Sequence, residues 1–289
     1  MNRKSVAFLI FYIILYVPAV ACRLSHTTKK DNYEDKIPCI ICIGQSNADG
    51  RVPLDSLPDN IKLPLTRCMV SFRTSDGNFV PLTKQNFLVG NKSCFAFDLI
   101  VYNQLCNVEK QTLYVIKHTL GGTSIDKEGR SNFHWTADYN DLDSLEQSLF
   151  YKFESQFKAC KRKYGKQLDV RAVLWHQGEG DAVNDVVAAR YYENLKKLVA
   201  SVRKLCRNKK LPFITGTISH QSSQYNVLIE NAQKQLAEED SHFYLVDMSK
   251  GTLLDPYHFD AKSTVYLGES VYNLLIESGA FKTKKIMME

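Results

Sequence analysis

The chain contains few of the residues that mark extended or repetitive proteins. Its 289 residues include only 14 glycines and 8 prolines, too few for a collagen-like chain or for modules joined by flexible linkers. The sequence also shows no internal repeat. With 44% hydrophobic and 24% charged residues, the composition is that of a globular protein, and the length fits one large domain or two small ones.

The sequence lacks both a basic stripe and a recognisable set of metal ligands. The net charge is +6, but lysines and arginines are interspersed with acidic residues, whereas nucleic-acid-binding domains cluster them on one face. The histidines and cysteines show no zinc-site spacing. We therefore expect no nucleic-acid partner, no metal and no organic cofactor.

The amino terminus has the pattern of an export signal. Asn2-Arg3-Lys4 forms a short positive region, and the apolar run Val6–Ala21 is too short for a comfortable membrane span of about 20 residues. Ala19-Val20-Ala21 is a small-residue cleavage pattern. These features predict a signal peptide over residues 1–21.

Cys22 follows the predicted cleavage site directly. The sequence Ala19-Val20-Ala21-Cys22 resembles a bacterial lipobox, in which the cysteine is lipidated and becomes the first residue. Residues 22–36 are then a polar tether, and this lipid is the only expected contact with a membrane. The alternative is plain secretion with Cys22 as a free thiol. We expect an exported protein, either a lipoprotein at the cell surface or in the periplasm, or a secreted one.

Two of the eight cysteines, Cys39 and Cys42, have the spacing of a redox motif. They lie within an apolar run typical of a buried strand, where positions i and i+3 face opposite sides. A redox pair favours a helix N-terminus instead. We therefore expect two core residues. Export permits disulfides, but the cysteine spacing specifies no pairing.

From residue 37 onward, apolar runs alternate with segments of helical periodicity. This alternation predicts an α/β domain over residues 37–289, with a mainly parallel sheet covered by helices on both faces. The predicted strands cover 37–43, 67–73, 111–117, 170–175, 211–218 and 243–246. The predicted helices cover 95–106, 142–164, 188–206, 227–237 and 263–275.

Ligands bind at the carboxyl ends of strands in such sheets, so the residues after each strand are the most informative. Ser46 follows the first strand in the segment Gly44-Gln45-Ser46-Asn47. A serine at a strand-to-helix turn lies near backbone N–H groups that can hold an oxyanion. The alternative interpretation is a helix N-cap.

Two further segments follow predicted strands. The paired glycines Gly121 and Gly122 can bring backbone N–H groups close to a ligand, although an ordinary tight turn also explains them. Gln177, in the polar segment 176–181, offers an amide donor to developing negative charge.

Asp255 and His258 lie three residues apart before the last predicted helix. A carboxylate that fixes one imidazole nitrogen leaves the other free to take a proton from a serine. The alternative is a capping aspartate beside a surface histidine.

Together these segments resemble the SGNH hydrolases, and more closely carbohydrate esterase family 6 and the sialate O-acetylesterase-like group. The matching segments are 44–47, 121–125, 175–181 and 255–258. The Gln177-Gly178-Glu179-x-Asp181 block is the most specific part. Departures from the family pattern, which often has Met, Ser and Gly there, occur at Ala48, Gly180 and Pro256.

The resemblance implies a three-layer α/β/α sandwich, the SGNH hydrolase fold. It also implies a serine esterase that removes O-acetyl groups from carbohydrate through an acetyl-serine intermediate. Ser46 is then the nucleophile, His258 the general base, and Asp255 the group that orients the imidazole.

The resemblance implies further site residues. The oxyanion site would comprise Ser46, Gly121, Gly122 and Gln177. Gln45, Asn47, Glu179 and Asp181 are candidates for shaping the site. Glu179 and Asp181 fit equally well as caps of the following segment, and His176 is expected to be structural.

Two other functions stay open. One is a lipid esterase or thioesterase, since the superfamily includes both. The other is a glycan-binding surface lipoprotein without catalytic activity. For the acetylesterase, the substrate is either an acetylxylan-type polysaccharide or an O-acetylated sialic acid.

Overall fold

A computed structural model describes residues 36–89 and 92–288. The predicted signal peptide (1–21), Cys22 and all of the predicted tether except its last residue lie outside the described residues. No helix in the described part of the chain is both long enough and apolar enough to cross a membrane.

The centre of the fold is a seven-stranded sheet in the order β10-β9-β8-β1-β7-β3-β4, with a small second sheet in the order β2-β6-β5. The strands are β1 Ile37–Gly44, β2 Val52–Pro53, β3 Leu65–Phe72, β4 Val80–Leu82, β5 Leu88–Val89, β6 Lys92–Phe95, β7 Leu113–Thr119, β8 Leu168–His176, β9 Phe213–Gly216 and β10 Phe243–Val246. All neighbours in the large sheet pair in parallel except β3 and β4. The predicted α/β class with a mainly parallel sheet is therefore confirmed.

Helices cover both faces of the large sheet. They are α1 Ser46–Asp49, α2 Phe97–Asn103, α3 Leu149–Tyr164, α4 Asp185–Ala188, α5 Tyr191–Cys206, α6 Val227–Glu239 and α7 Ala261–Glu277. Because side chains alternate along β1, Ile40 and Cys42 pack with α2 and α7, whereas Ile41 and Ile43 pack with α3, α5 and α6. These two separate cores give the expected three layers.

The predicted elements differ from the observed ones mainly at their ends. The helix predicted over 142–164 begins only at Leu149, because the Ser148 hydroxyl caps it by accepting a hydrogen bond from Tyr151 N (3.0 Å). The segment before it forms short 3₁₀ turns instead. The helix predicted over 188–206 begins at Tyr191, after the separate short helix α4, and the strand predicted over 211–218 is shorter. The strands that were not predicted have two to four residues, too few to show a period.

The cysteines of β1 are core residues, as predicted. Cys39 and Cys42 are buried on opposite faces of the sheet and carry free thiols. Burial raises the pKa of Cys39 well above its ordinary value. The Cys39 thiol is therefore neutral and unreactive, which suits a residue that packs in the core.

The end of β1 approaches β8 closely because residue 44 is a glycine. Gly44 pairs with His176 and has a φ of +136°, and a Cβ added there would collide with the His176 carbonyl oxygen. The next residue, Gln45, donates its backbone N–H to the same carbonyl (2.9 Å). The position of Ser46 is therefore fixed by the end of β8.

We expect Gly44→Ala to lower the free energy of unfolding by at least about 2 kcal/mol, since it adds a steric collision to an unfavourable φ. Gly165 is the matched control, because its φ is +57° but an added Cβ would meet no atom within 4 Å. Gly165→Ala should cost about 1 kcal/mol. Urea denaturation measures both, and equal costs would show that the close approach to His176 carries no penalty.

Candidate active site

Ser46 is the first residue of α1, directly after the end of β1. Its residue surface is only 6% exposed. Within the described residues, neither its backbone N–H nor its hydroxyl takes part in a hydrogen bond. The serine that the sequence singled out is therefore a largely buried hydroxyl beside an unused backbone donor.

Asp255 and His258 are in direct contact, within a tight turn closed by Leu254 N donating to His258 O (2.8 Å). One carboxylate oxygen of Asp255, Oδ1, accepts from the backbone N–H groups of Tyr257 (2.8 Å) and His258 (2.9 Å). The other, Oδ2, lies 2.7 Å from His258 Nδ1. This contact leaves His258 Nε2 as the imidazole nitrogen available for another group.

Local sequence explains this turn. An aspartate before a proline favours turn initiation, and an Asp side chain readily accepts from the backbone two or three residues later. Burial raises the pKa of Asp255, but hydrogen bonds from His258 and from the backbone outweigh it, so the pKa lies below its ordinary value. Asp255 is thus ionised at neutral pH and orients the imidazole.

The Asn47 carboxamide connects the His258 turn to the residue next to Ser46. Its Oδ1 accepts from Phe259 N (3.1 Å), and its Nδ2 donates to Tyr257 O (3.5 Å). These two contacts flank His258 on both sides. The side chain of Asn47 therefore holds the turn against the amino-terminal end of α1, where Ser46 lies.

The turn is also held from its other side. The carbonyl oxygen of Pro256 accepts from the backbone N–H of Ser223 (3.0 Å) and from its hydroxyl (3.2 Å). The turn that carries Asp255 and His258 is thus fixed by two separate segments of the chain.

The side chain of Glu179 holds the Asn47 carboxamide in place. Its buried carboxylate accepts from Asn47 Nδ2 (2.7 Å) and lies 3.3 Å from His176 Nε2. Burial raises the pKa of Glu179, but the His176 imidazole and the hydrogen bonds outweigh it and hold the pKa below its ordinary value. Because Glu179 is buried, its role is to position Asn47 rather than to contact a substrate. His176 is fully buried, consistent with its predicted structural role.

Gln45, the other neighbour of Ser46, binds the same segment. Its side-chain Oε1 accepts from the backbone N–H of Gly180 (3.0 Å). A Cβ at position 180 would collide with the Thr123 carbonyl oxygen, which explains why this chain has glycine where the family often has serine. Both residues that flank Ser46 are therefore tied to residues 179–180.

Asp181 fixes the loop that follows the paired glycines. Its carboxylate accepts from the backbone N–H groups of Ile125 (2.8 Å) and Asp126 (2.9 Å) and from Gln177 Nε2 (2.6 Å). Burial raises its pKa to about 7, although these hydrogen bonds oppose the shift. Asp181 thus holds the loop after the paired glycines, a role that the sequence analysis did not consider.

The predicted role of Gln177 as an oxyanion donor does not fit the structure. Its amide nitrogen donates to Asp181 Oδ2 (2.6 Å) and to the Thr123 carbonyl (3.2 Å), and the residue is fully buried. Both amide N–H groups are therefore used inside the protein. The strand-end position of Gln177 was correctly inferred, but the sequence could not show that Asp181 would take its amide.

Gly121 lies beside Ser46, and Gly122 follows it in the same loop. A Cβ added at Gly121 would lie 3.5 Å from Ser46 Cβ and would collide with Arg51 Nη2. Gly122 has a φ of +73°, which favours glycine. Neither backbone N–H donates to an acceptor among the described residues. The loop therefore presents free donors next to the serine.

Arg51 is a site residue that the sequence analysis missed. With Gly121 it lines a cavity of about 610 Å³ next to the serine, although neither Ser46 nor His258 lines it. Arg51 is held by Asp49 (3.0 Å). Its place five residues after Ser46, in the same short segment, was the only available signal.

The wall of the cavity combines apolar side chains with paired charged ones. Lys117 Nζ and Asp98 Oδ2 form a buried pair 2.6 Å apart in its wall, and Asp49 accepts from the Thr119 hydroxyl (2.7 Å). Within residues 36–89 and 92–288, no group of three His, Cys, Asp or Glu side chains is placed to hold a metal ion.

A comparison with protein families shows to which family this chain belongs. Residues 36–277 match the family described as "Carbohydrate esterase, sialic acid-specific acetylesterase". The chain belongs to this family. It is therefore a carboxylic ester hydrolase of the acetylesterase class that acts on carbohydrate.

Solved structures share the fold of this esterase. A protein from Arabidopsis thaliana is 20% identical with a TM-score of 0.65, over 84% of this chain and 98% of that one. NanS is 15% identical with a TM-score of 0.64, over 84% and 97% of the two chains. A carbohydrate acetylesterase from Xanthomonas citri is 14% identical with a TM-score of 0.58, over 83% of this chain and 56% of that one. No curated protein sequence matched significantly.

We expect Asn47→Ala to lower kcat for hydrolysis of an aryl acetate about 100-fold with little change in KM, because a displaced His258 turn disrupts the reacting geometry. Asn208→Ala is the matched control. Asn208 accepts from Lys210 N (3.0 Å) in the turn that precedes β9, at the end of the strands opposite to the site. That variant should lose about 1 kcal/mol of stability at most and keep its activity. Full activity of Asn47→Ala would show that the carboxamide does not position His258.

Proposed function

We propose that this esterase is an exported serine carbohydrate O-acetylesterase that works through an acetyl-serine intermediate. The observation that carries the proposal is the Asp255–His258 pair, which the Asn47 carboxamide holds beside Ser46. Nucleophile, base and orienting carboxylate are the three parts that serine esterases require.

In this mechanism His258 Nε2 takes the proton of Ser46 as the oxygen attacks the acetyl carbonyl carbon. Asp255 stabilises the imidazolium that forms. The backbone N–H groups of Ser46 and Gly121, with Gly122 beside them, hold the tetrahedral oxyanion. Each such donor contributes about 2.7–4 kcal/mol to lowering the barrier.

Collapse of the tetrahedral intermediate breaks the ester C–O bond. His258 returns its proton to the departing sugar oxygen, which leaves as a hydroxyl group. Water then attacks the acetyl-serine, and His258 accepts its proton. Acetate leaves and Ser46 is restored, so the cycle consumes one ester and one water and needs no cofactor.

The substrate class that we propose is O-acetylated carbohydrate, either sialic-acid-type or acetylxylan-type. The family description favours the first. The adjacent cavity is lined by both charged and apolar side chains, so acyl-chain preference is the measurement that separates a lipid esterase from an acetylesterase.

We expect Ser46→Ala to lower kcat/KM for an aryl acetate at least about 1,000-fold, because the nucleophile is lost. Ser241→Ala, at an exposed serine outside the site, is the matched control and should keep full activity. The wild type should prefer the acetyl over the octanoyl ester. Turnover by Ser46→Ala would exclude the acetyl-serine, and a preference for octanoate would favour a lipid esterase.

Export and lipid anchoring at Cys22 are part of the proposal and rest on the sequence of residues 1–22. Expressed as residues 1–289 in a bacterial host, the wild type should reach the membrane fraction and incorporate labelled palmitate. Cys22→Ser should carry no label and leave the membrane fraction. An unlabelled but cleaved wild type would indicate plain secretion, and an uncleaved cytoplasmic chain would contradict export.

A further inference from the structure

A second cavity of about 700 Å³ adjoins the one beside Arg51. Arg73, Thr74 and Leu120 line both cavities. Leu120 immediately precedes Gly121, where an added Cβ would lie 3.5 Å from Ser46 Cβ. The two cavities therefore adjoin at these shared residues, and we call the pair of them the groove.

The second cavity is positively charged. Arg73, Lys152 and Arg162 line it, and Asp76 is the one carboxylate among its lining residues. None of the three cations forms an ion pair with another described residue, although Lys152 Nζ lies 4.9 Å from the centre of the Phe133 ring. Three unpaired cations around one cavity create a local positive potential.

The cavity next to the serine is different in this respect. There Arg51 is paired with Asp49, and Lys117 is paired with Asp98. Arg73, which both cavities share, is the one cation of the first cavity without an ion pair among the described residues, so the unpaired cations are concentrated in the second cavity. An anionic group would be attracted to the second cavity.

His118 does not add to this charge. Its ring forms part of the cavity wall, with Nδ1 2.8 Å from Gln156 Oε1. Burial lowers the pKa of His118 to about 4, with smaller contributions from the nearby Arg73 and Lys152, and the Gln156 hydrogen bond opposes this shift. The imidazole is neutral at physiological pH, so the charge of the cavity comes from lysine and arginine alone.

Two aromatic side chains line the same cavity and are open to solvent. Phe133 is 38% exposed and Tyr151 is 39% exposed. Exposed aromatic faces provide flat, apolar surfaces on which the apolar face of a sugar ring can pack. Arginine beside them supplies paired donors for a carboxylate or sulfate.

We infer that this second cavity is a sugar subsite that binds a negatively charged sugar next to the acetylated one. The ligand is a pyranose ring that carries an anionic group, either a carboxylate or a sulfate. The ring packs on Phe133 and Tyr151, and Arg73 and Arg162 contact the anionic group. The inference rests on the proposed function for the identity of the reacting sugar. It makes acidic oligosaccharides, rather than single sugars, the preferred substrates.

The experiment is calorimetric binding of unacetylated trisaccharides to the purified protein at physiological salt. Three probes are compared: a trisaccharide with one uronic acid, one with a single sulfate, and their neutral counterpart. The test variant is Arg73→Gln/Arg162→Gln. The matched control is Arg67→Gln/Arg207→Gln, which removes the same charge from exposed arginines outside both cavities.

We expect the wild type to bind at least one anionic probe ten times more tightly than the neutral one, and the test variant to lose that tenfold preference while the control keeps it. The anionic probe that binds more tightly shows whether the subsite prefers a carboxylate or a sulfate. Equal binding of all three probes, or equal losses in both variants, would overturn the subsite. Hydrolysis of an aryl acetate is measured in parallel, because its absence would contradict the esterase mechanism without affecting the binding result.

Discussion

The Asn47 carboxamide is the interaction on which the rest of this site depends. Ser46 and the Asp255–His258 pair are more than 200 residues apart in sequence, so only a tertiary contact can place them together. Asn47 supplies it with both ends of one amide, which bond the backbone on either side of His258. A planar amide with a donor and an acceptor suits this task because it satisfies a carbonyl and an N–H at once.

A layer of buried polar side chains supports that amide. Glu179 holds Asn47, and Asp181 holds both Gln177 and the loop after the paired glycines. These groups do not reach solvent, and removing one partner would leave another buried polar group without its hydrogen bond. The most specific block of the sequence is therefore the support of the site rather than its chemistry.

The sequence predicted the strands and helices well where they are long. The buried apolar run of β1 predicted a strand and the periodicity of α5 predicted a helix, because each segment has enough residues to show its pattern. Short strands such as β2 and β5 have no period to detect. The start of α3 was missed because a single capping serine, Ser148, outweighs the helical pattern before it.

Residue types and chain order by themselves determined the α/β class, the strand ends where chemistry was expected, and the local Asp255–His258 pair, because each depends on neighbours within a few positions. Only the tertiary structure decided which strand-end groups remain available. In the folded chain the Gln177 amide is hydrogen-bonded inside the protein and Arg51 lies against Gly121. Arg73 lines the groove without an ion pair to another described residue. The reason is that hydrogen-bond partners and burial are set by segments distant in sequence, which a local pattern does not specify.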